Sequence, residues 1–71
     1  MSALEWDETS VGWSARRRGV LCLINPCSWR PGIYLWEVNL PDDDMDPISG
    51  RARSLEQAKR RCEITVEAVA P

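Results

Sequence analysis

Gly32-Ile33-Tyr34-Leu35-Trp36-Glu37-Val38-Asn39-Leu40 is the stretch whose reading decides the fold. It is dense in β-branched and aromatic residues, Gly32 and Pro41 bracket it, and turn formers lie beyond on both sides, which predicts a strand. Side chains alternate between the two faces of a strand, so Tyr34, Trp36, Val38 and Leu40 form one unbroken apolar face. The other face runs from Ile33 and Leu35 to polar Glu37 and Asn39. One face belongs to a core; the other is apolar for half its length.

Upstream, Val20-Leu21-Cys22-Leu23-Ile24 is a run of consecutive apolar residues ending in Asn25-Pro26. So short a run, bounded by turn signals, suits a strand covered on both faces. The loop from Asn25 to Gly32 is too short for a parallel crossover, so the two strands pair antiparallel. Further back, Leu4 and Trp6 alternate with Glu5 and Asp7, and Val11-Gly12-Trp13 resumes the apolar series after Thr9-Ser10. This predicts one edge or bent strand over about residues 3–15, with a bulge at Gly12. Arg16-Arg17-Arg18-Gly19 reads as a polar turn.

Downstream, Pro41-Asp42-Asp43-Asp44-Met45-Asp46-Pro47 is an acidic loop that no helix or strand period fits. Residues 48–53 suit a short further strand, weakened by Gly50. Ser54-x-x-Gln57 has the capping-box pattern that opens a helix. Leu55, Ala58, Cys62, Thr65, Val66 and Val69 recur three or four apart as one stripe, and Glu56–Arg60 and Lys59–Glu63 are favourable outward pairs. The β-branched Ile64-Thr65-Val66 run leaves residues 64–70 open between a last helical turn and a strand. The expectation is a single α+β domain over residues 1–71. It consists of an antiparallel three- to four-stranded sheet (β-β-β-(β)-α) with one C-terminal helix packed on one face.

A chain of 71 residues, 44% hydrophobic, lies near the lower limit for a self-supporting core. Such domains often gain stability from disulfides, metal or association. Three cysteines, no histidine and no C-x-x-C spacing argue against the first two. Cys22 and Cys62 read as core thiols, with a Cys22–Cys27 bridge as the alternative in an oxidising compartment. No metal or cofactor is expected. Without histidine neither a Ser/His/Asp nor a Cys/His set can form, there is no glycine-rich phosphate loop, and the Asp spacing matches no calcium loop, so no enzyme is expected. The N-terminus lacks a signal-like pattern and no apolar run approaches a membrane span, which predicts a cytoplasmic protein with no membrane partner. The net charge of −2 and pI near 5.0 disfavour a dedicated nucleic-acid binder.

One helix of about fifteen residues, some 22 Å long, covers one sheet face and not both. Trp13 and Trp29 then either fold over the open face or form an exposed patch for a partner or a second copy. Arg16, Arg17 and Arg18 should lie beside Asp42, Asp43, Asp44 and Asp46 at one end of the sheet. These loops either neutralise each other or, helped by Glu5, Asp7 and Glu8, present a negative surface that a nucleic-acid-binding partner would take for phosphates. Arg51, Arg53, Lys59, Arg60 and Arg61 form a second cluster, either a solvated face or a phosphate-contacting patch with Trp or Tyr34 stacking on bases.

The junction Gly50-x-Ala52-x-Ser54-Leu55-Glu56-Gln57-Ala58-Lys59, preceded by Tyr34-x-Trp36, resembles that of short phage and prophage proteins with a β-meander and a closing helix. The resemblance spans roughly residues 30–65. That group includes anti-CRISPR and other anti-defence inhibitors, so the resemblance implies a non-enzymatic inhibitor from a phage or mobile element. Its target would be a host protein or ribonucleoprotein complex, occluded at its nucleic-acid-binding surface. The motif is structural and carries no functional residues across. The partner-binding residues expected are Asp42, Asp43, Asp44 and Asp46 for charge, with Trp13 and Trp29 as anchors. Two other readings stand beside it. One is a nucleic-acid-binding accessory domain using Arg16, Arg17, Arg18, Lys59, Arg60 and Arg61; the other is a homodimerisation module using the uncovered sheet face.

Overall fold

The alternation around Trp36 does form a strand, β4 (Tyr34–Asn39), and it pairs antiparallel with β3 (Val20–Pro26) from Leu21↔Asn39 to Pro26↔Tyr34. The computed structural model describes residues 4–41 and 46–69. Around the central pair lie β1 (Asp7–Glu8), β2 (Trp13–Arg17) and β5 (Ile48–Ala52), giving one antiparallel sheet in the order β1-β2-β3-β4-β5. Helix α1 (Leu55–Val69) follows. The α+β class and the single C-terminal helix agree with the sequence reading, but the sheet has five strands rather than three or four.

The extra strand comes from residues 3–15, where one bent strand was expected. Thr9-Ser10 interrupts the alternation, and the chain turns there. The Thr9 N–H donates to the Gly12 carbonyl (2.7 Å) and the Thr9 hydroxyl accepts from the Val11 N–H (3.2 Å). Hydroxyl side chains offer the backbone this local alternative to a ladder, and here it makes a hairpin of β1 and β2. Gly12 therefore ends a turn rather than marking a bulge. The expected turn at Arg16-Arg17-Arg18-Gly19 also shrinks, because Arg16 and Arg17 continue β2 opposite Leu21 and Val20. Only Arg18 and Gly19 turn, both at positive φ (52° and 81°), the geometry of a two-residue hairpin turn that matches strand twist.

Antiparallel register assigns the faces. Trp13, Ala15, Val20, Cys22, Ile24, Trp36, Val38, Gly50 and Ala52 share one face through their pairings. Helix α1 packs there with Ala58, Cys62 and Val66 buried, flanked by Leu55 and Val69. The predicted stripe is thus the buried stripe, apart from Thr65, whose hydroxyl donates to the Arg61 carbonyl (2.8 Å). Residues 64–69, left open by the sequence, are helical. At the helix start the Gln57 N–H donates to Ser54 Oγ (3.1 Å), and Gln57 Oε1 accepts from the Arg53 N–H (2.8 Å). The cap forms as expected, with the glutamine reaching one residue further back than in the usual reciprocal box.

Candidate functional site

The register sorts the loops into two ends. The β1–β2 turn, the β3–β4 loop and the start of α1 lie at one end, and the β2–β3 turn and the exit of β4 at the other. A Cβ built on Gly19 would sit 3.5 Å from Pro41 Cβ, so the β2–β3 turn does meet the start of the acidic loop. Asp42, Asp43 and Asp44 lie outside the described residues; Asp46 is exposed beside β5. Arg16 and Arg18 are exposed at the same end, and Arg17 is half-buried.

At the first end the β3–β4 loop is closed on itself. The Cys27 N–H donates to the Ile33 carbonyl (2.8 Å), the Ile33 N–H donates to the Arg30 carbonyl (3.2 Å), and Gly32 supplies a positive φ of 84°. Pro26 closes β3, and Pro31 stiffens the loop that follows. Its tip carries Trp29, 79% exposed, next to exposed Arg30. Val11, 70% exposed, projects from the neighbouring turn. Asn25 at the end of β3 lies against that turn, and with its amide oriented so that the nitrogen faces the carbonyls it donates to the Val11 carbonyl (3.1 Å). An indole held in water on a braced loop is the most exposed large apolar side chain among the described residues.

Trp13 behaves differently. Its pairing with Ile24 places it on the helix side, where its ring meets Tyr34 edge-on at 6.0 Å and 60°. Neither tryptophan folds over the open face: Trp13 has the wrong parity, and Trp29 stands in solvent. The remaining two are structural, Trp36 half-buried over Gly50 and Trp6 packed against the core beneath Lys59, whose Nζ lies 5.9 Å from the ring centroid. Lys59 is thereby drawn away from Arg60 and Arg61. Those two line a shallow depression of about 510 Å³ on the outer helix face with Ser54, Glu56, Gln57 and Ile64. The expected basic set is thus divided, with Arg16, Arg17 and Arg18 at the far end of the sheet.

The open face carries Leu21, Leu23 and Leu35, all half-buried, with Ser14, Arg16, Asn25, Glu37, Asn39, Ser49 and Arg51 around them. A groove of about 370 Å³ runs over Leu23 and Leu35 between Glu37 and Arg51. Asn39 Nδ2 donates to Glu37 Oε2 (2.9 Å), fixing the carboxylate at the groove wall. The sequence left open which face the helix covers, and this is the one the helix leaves uncovered.

One pair of side chains escaped the sequence reading. Cys22 on β3 and Cys62 on α1, both fully buried, share a thiol–thiol hydrogen bond at the centre of the core. That contact and the burial raise the Cys62 thiol pKa far above its ordinary value. All three cysteines are free thiols, and Cys22 has Cys62, not Cys27, as its neighbour. Strand parity and the helical stripe each pointed inward at these residues; only the helix placement could bring them together.

Among the described residues no group of three or more His, Cys, Asp or Glu could hold a metal ion, and no helix is long and apolar enough to cross a membrane. Comparison of the chain with protein-family models, curated proteins and solved structures finds no match.

Proposed function

We propose that this chain acts by binding another protein, as a non-enzymatic inhibitor that occludes a nucleic-acid-binding surface of a host complex. The observation that supports this most is Trp29, 79% exposed on a loop closed by two backbone hydrogen bonds. Its ordering cost is already met by the fold, and a pre-placed tryptophan is the type of residue that anchors protein interfaces. Arg30 and Val11 extend the same end of the sheet as rim contacts. The acidic side chains Asp42, Asp43, Asp44 and Asp46 supply charge that steers the encounter. The phage or mobile-element setting comes from the resemblance alone.

The test is a pull-down from host lysate with the wild type and Trp29→Ala, each with and without nuclease. A stoichiometric partner retained through nuclease and lost with Trp29→Ala supports the reading. Binding that disappears with nuclease transfers the function to Arg16, Arg17, Arg18, Arg60 and Arg61, and direct nucleic-acid binding that falls steeply with salt would confirm the transfer. Replacing Asp42, Asp43 and Asp44 by Asn should slow association in the inhibitor reading; an unchanged on-rate removes the acidic loop from it.

A further inference from the structure

We infer that the outer edge of β5 pairs with the same edge of a second copy, antiparallel about Gly50, joining two sheets into one. This contact is independent of the Trp29 tip and differs from a dimer through the open face.

The two edges of the sheet are not alike. On one side β1 is two residues long, both exposed and acidic, and it covers only Trp13 and Ser14 of β2 before the strand continues as buried Ala15, then Arg16 and Arg17. Short strands, steps and charges are how sheets discourage edge pairing. On the other side β5 keeps one register with β4 along its whole length, from Val38↔Ile48 to Tyr34↔Ala52. It contains no proline, lysine or bulge, and its one charge is Arg51. Among the described residues no strand pairs with its outer edge.

The edge is also apolar on the helix side. Ile48 is 37% exposed, and Ala52 lies two positions beyond Gly50 on the same face. Between them the Trp36 indole lies across Gly50 so closely that a Cβ there would fall 2.7 Å from its Cζ2. The rim of β5 on this face is therefore Ile48 and the indole of Trp36, with Ala52, 3% exposed, buried in the core beside them.

Self-pairing fixes its own register. Centred on Gly50, Ile48 lies opposite the second copy's Ala52, Ser49 opposite its Arg51, and Gly50 opposite its Gly50. Every pair then has matching parity, so both helices stay on one side of the joined sheet. The two Trp36 rings flank the seam, and Ile48 gains an apolar neighbour. A shift of two residues one way sets Arg51 against itself, a like-charge pair. A shift the other way sets Pro47 against Arg51, where the ladder lacks a donor. The contact is isologous and closes at two copies.

Sedimentation equilibrium of the full chain, from about 10 μM to about 1 mM, tests this in the range where a small interface associates. The mass should rise from 8.1 kDa toward twice that value. Ser49→Arg places like charges opposite each other twice by symmetry and should weaken association about tenfold. Its own fold is kept, because position 49 faces Glu37 across β4; an unchanged melting curve verifies that. The double variant Ser49→Arg/Arg51→Ser exchanges the pair and should restore the dimer. A wild type that stays monomeric over the whole range overturns the proposal. So does association that Ser49→Arg leaves unchanged, or that the double variant fails to recover.

Discussion

The two faces of the sheet are drawn from the same strands, one residue apart, and they end differently. On the covered face Val20, Cys22, Ile24 and Val38 are at most 2% exposed; one position along, Leu21, Leu23 and Leu35 remain half-buried. Hydrophobicity of the single residue does not separate them, since the leucines are as apolar as the valines. Their neighbours do. The covered face combines small side chains, Ala15, Cys22, Gly50 and Ala52 opposite Ala58 and Cys62 of the helix, with Ile24 and Val38 at the centre and Trp13, Tyr34 and Trp36 packed around them. On the open face the leucines are interleaved with Ser14, Arg16, Asn25, Glu37, Asn39, Ser49 and Arg51, polar groups that are costly to bury without partners. The helix sits on the more continuously apolar face, and the mixed face is left open.

The largest expected effect tests that division at its centre. Ile24 is fully buried between the central strands and α1, and Ile24→Ala should cost about 3 kcal/mol through lost burial and the residual cavity. Domains of this size have little stability in excess of that, so the variant should be largely unfolded at room temperature by circular dichroism. A loss below about 1 kcal/mol would mean that the helix closes readily over the gap and that the covered face is less tightly filled than its burial suggests.

The next effect is set by pH. Cys62 has a folded-state pKa raised above the ordinary thiol value of 9.0. A group held protonated in the fold contributes fully below the unfolded pKa, and the contribution disappears as pH rises beyond it. Stability should therefore hold up to about pH 9 and then fall by about 1.4 kcal/mol per pH unit from this thiol alone. Urea titrations at several alkaline pH values measure the slope, and Cys62→Ala should flatten it. An equal slope in that variant would assign the alkaline loss to other groups. The open face, which buries no such thiol, predicts no counterpart.

Much of the covered face was legible in the sequence because it follows two periods. Alternation at Tyr34, Trp36 and Val38 and the spacing of Ala58, Cys62 and Val66 both survive in the fold, as does the Ser54 cap. The first strand misled because Leu4, Trp6, Val11 and Trp13 look like one interrupted series. A hydroxyl at Thr9 satisfies the Val11 amide locally and turns the chain, which a hydrophobic pattern does not encode. The surroundings of the two candidate tryptophans were not legible in the sequence. Trp13 and Trp29 have the same identity, but one inherits the parity of Ile24 and the other occupies a loop tip, so only Trp29 is presented to solvent.

The cap sharpens the comparison from the chain's side, because residues 53–54 send α1 onto one face and not the other. Ser54→Ala removes the oxygen that accepts from the Gln57 N–H, and about 1 kcal/mol should be lost in thermal or urea melts. The Gln57 bond to the Arg53 N–H remains, which keeps the loss near that figure. A cost as large as that of Ile24→Ala would show that the cap fixes the direction of the helix as well as its first turn.

The smallest effect belongs to the open face and decides what its leucines are for. Leu35 floors the groove beside Leu23 and lies opposite Asn25 and Arg51 in the ladder. Leu35→Gln keeps the length of the side chain, places its amide among polar neighbours and creates no buried polar group. Substitutions of that kind usually change stability by about 0.5 kcal/mol or less. If urea melts show so small a change, the leucines are surplus to folding and available to a partner. A loss approaching that of Ile24→Ala would instead make Leu21, Leu23 and Leu35 a second, shallower core, and the distinction between the faces would become one of degree. Either result turns on water, since an aliphatic side chain contributes only in proportion to the area it removes from solvent, and these three are only half withdrawn.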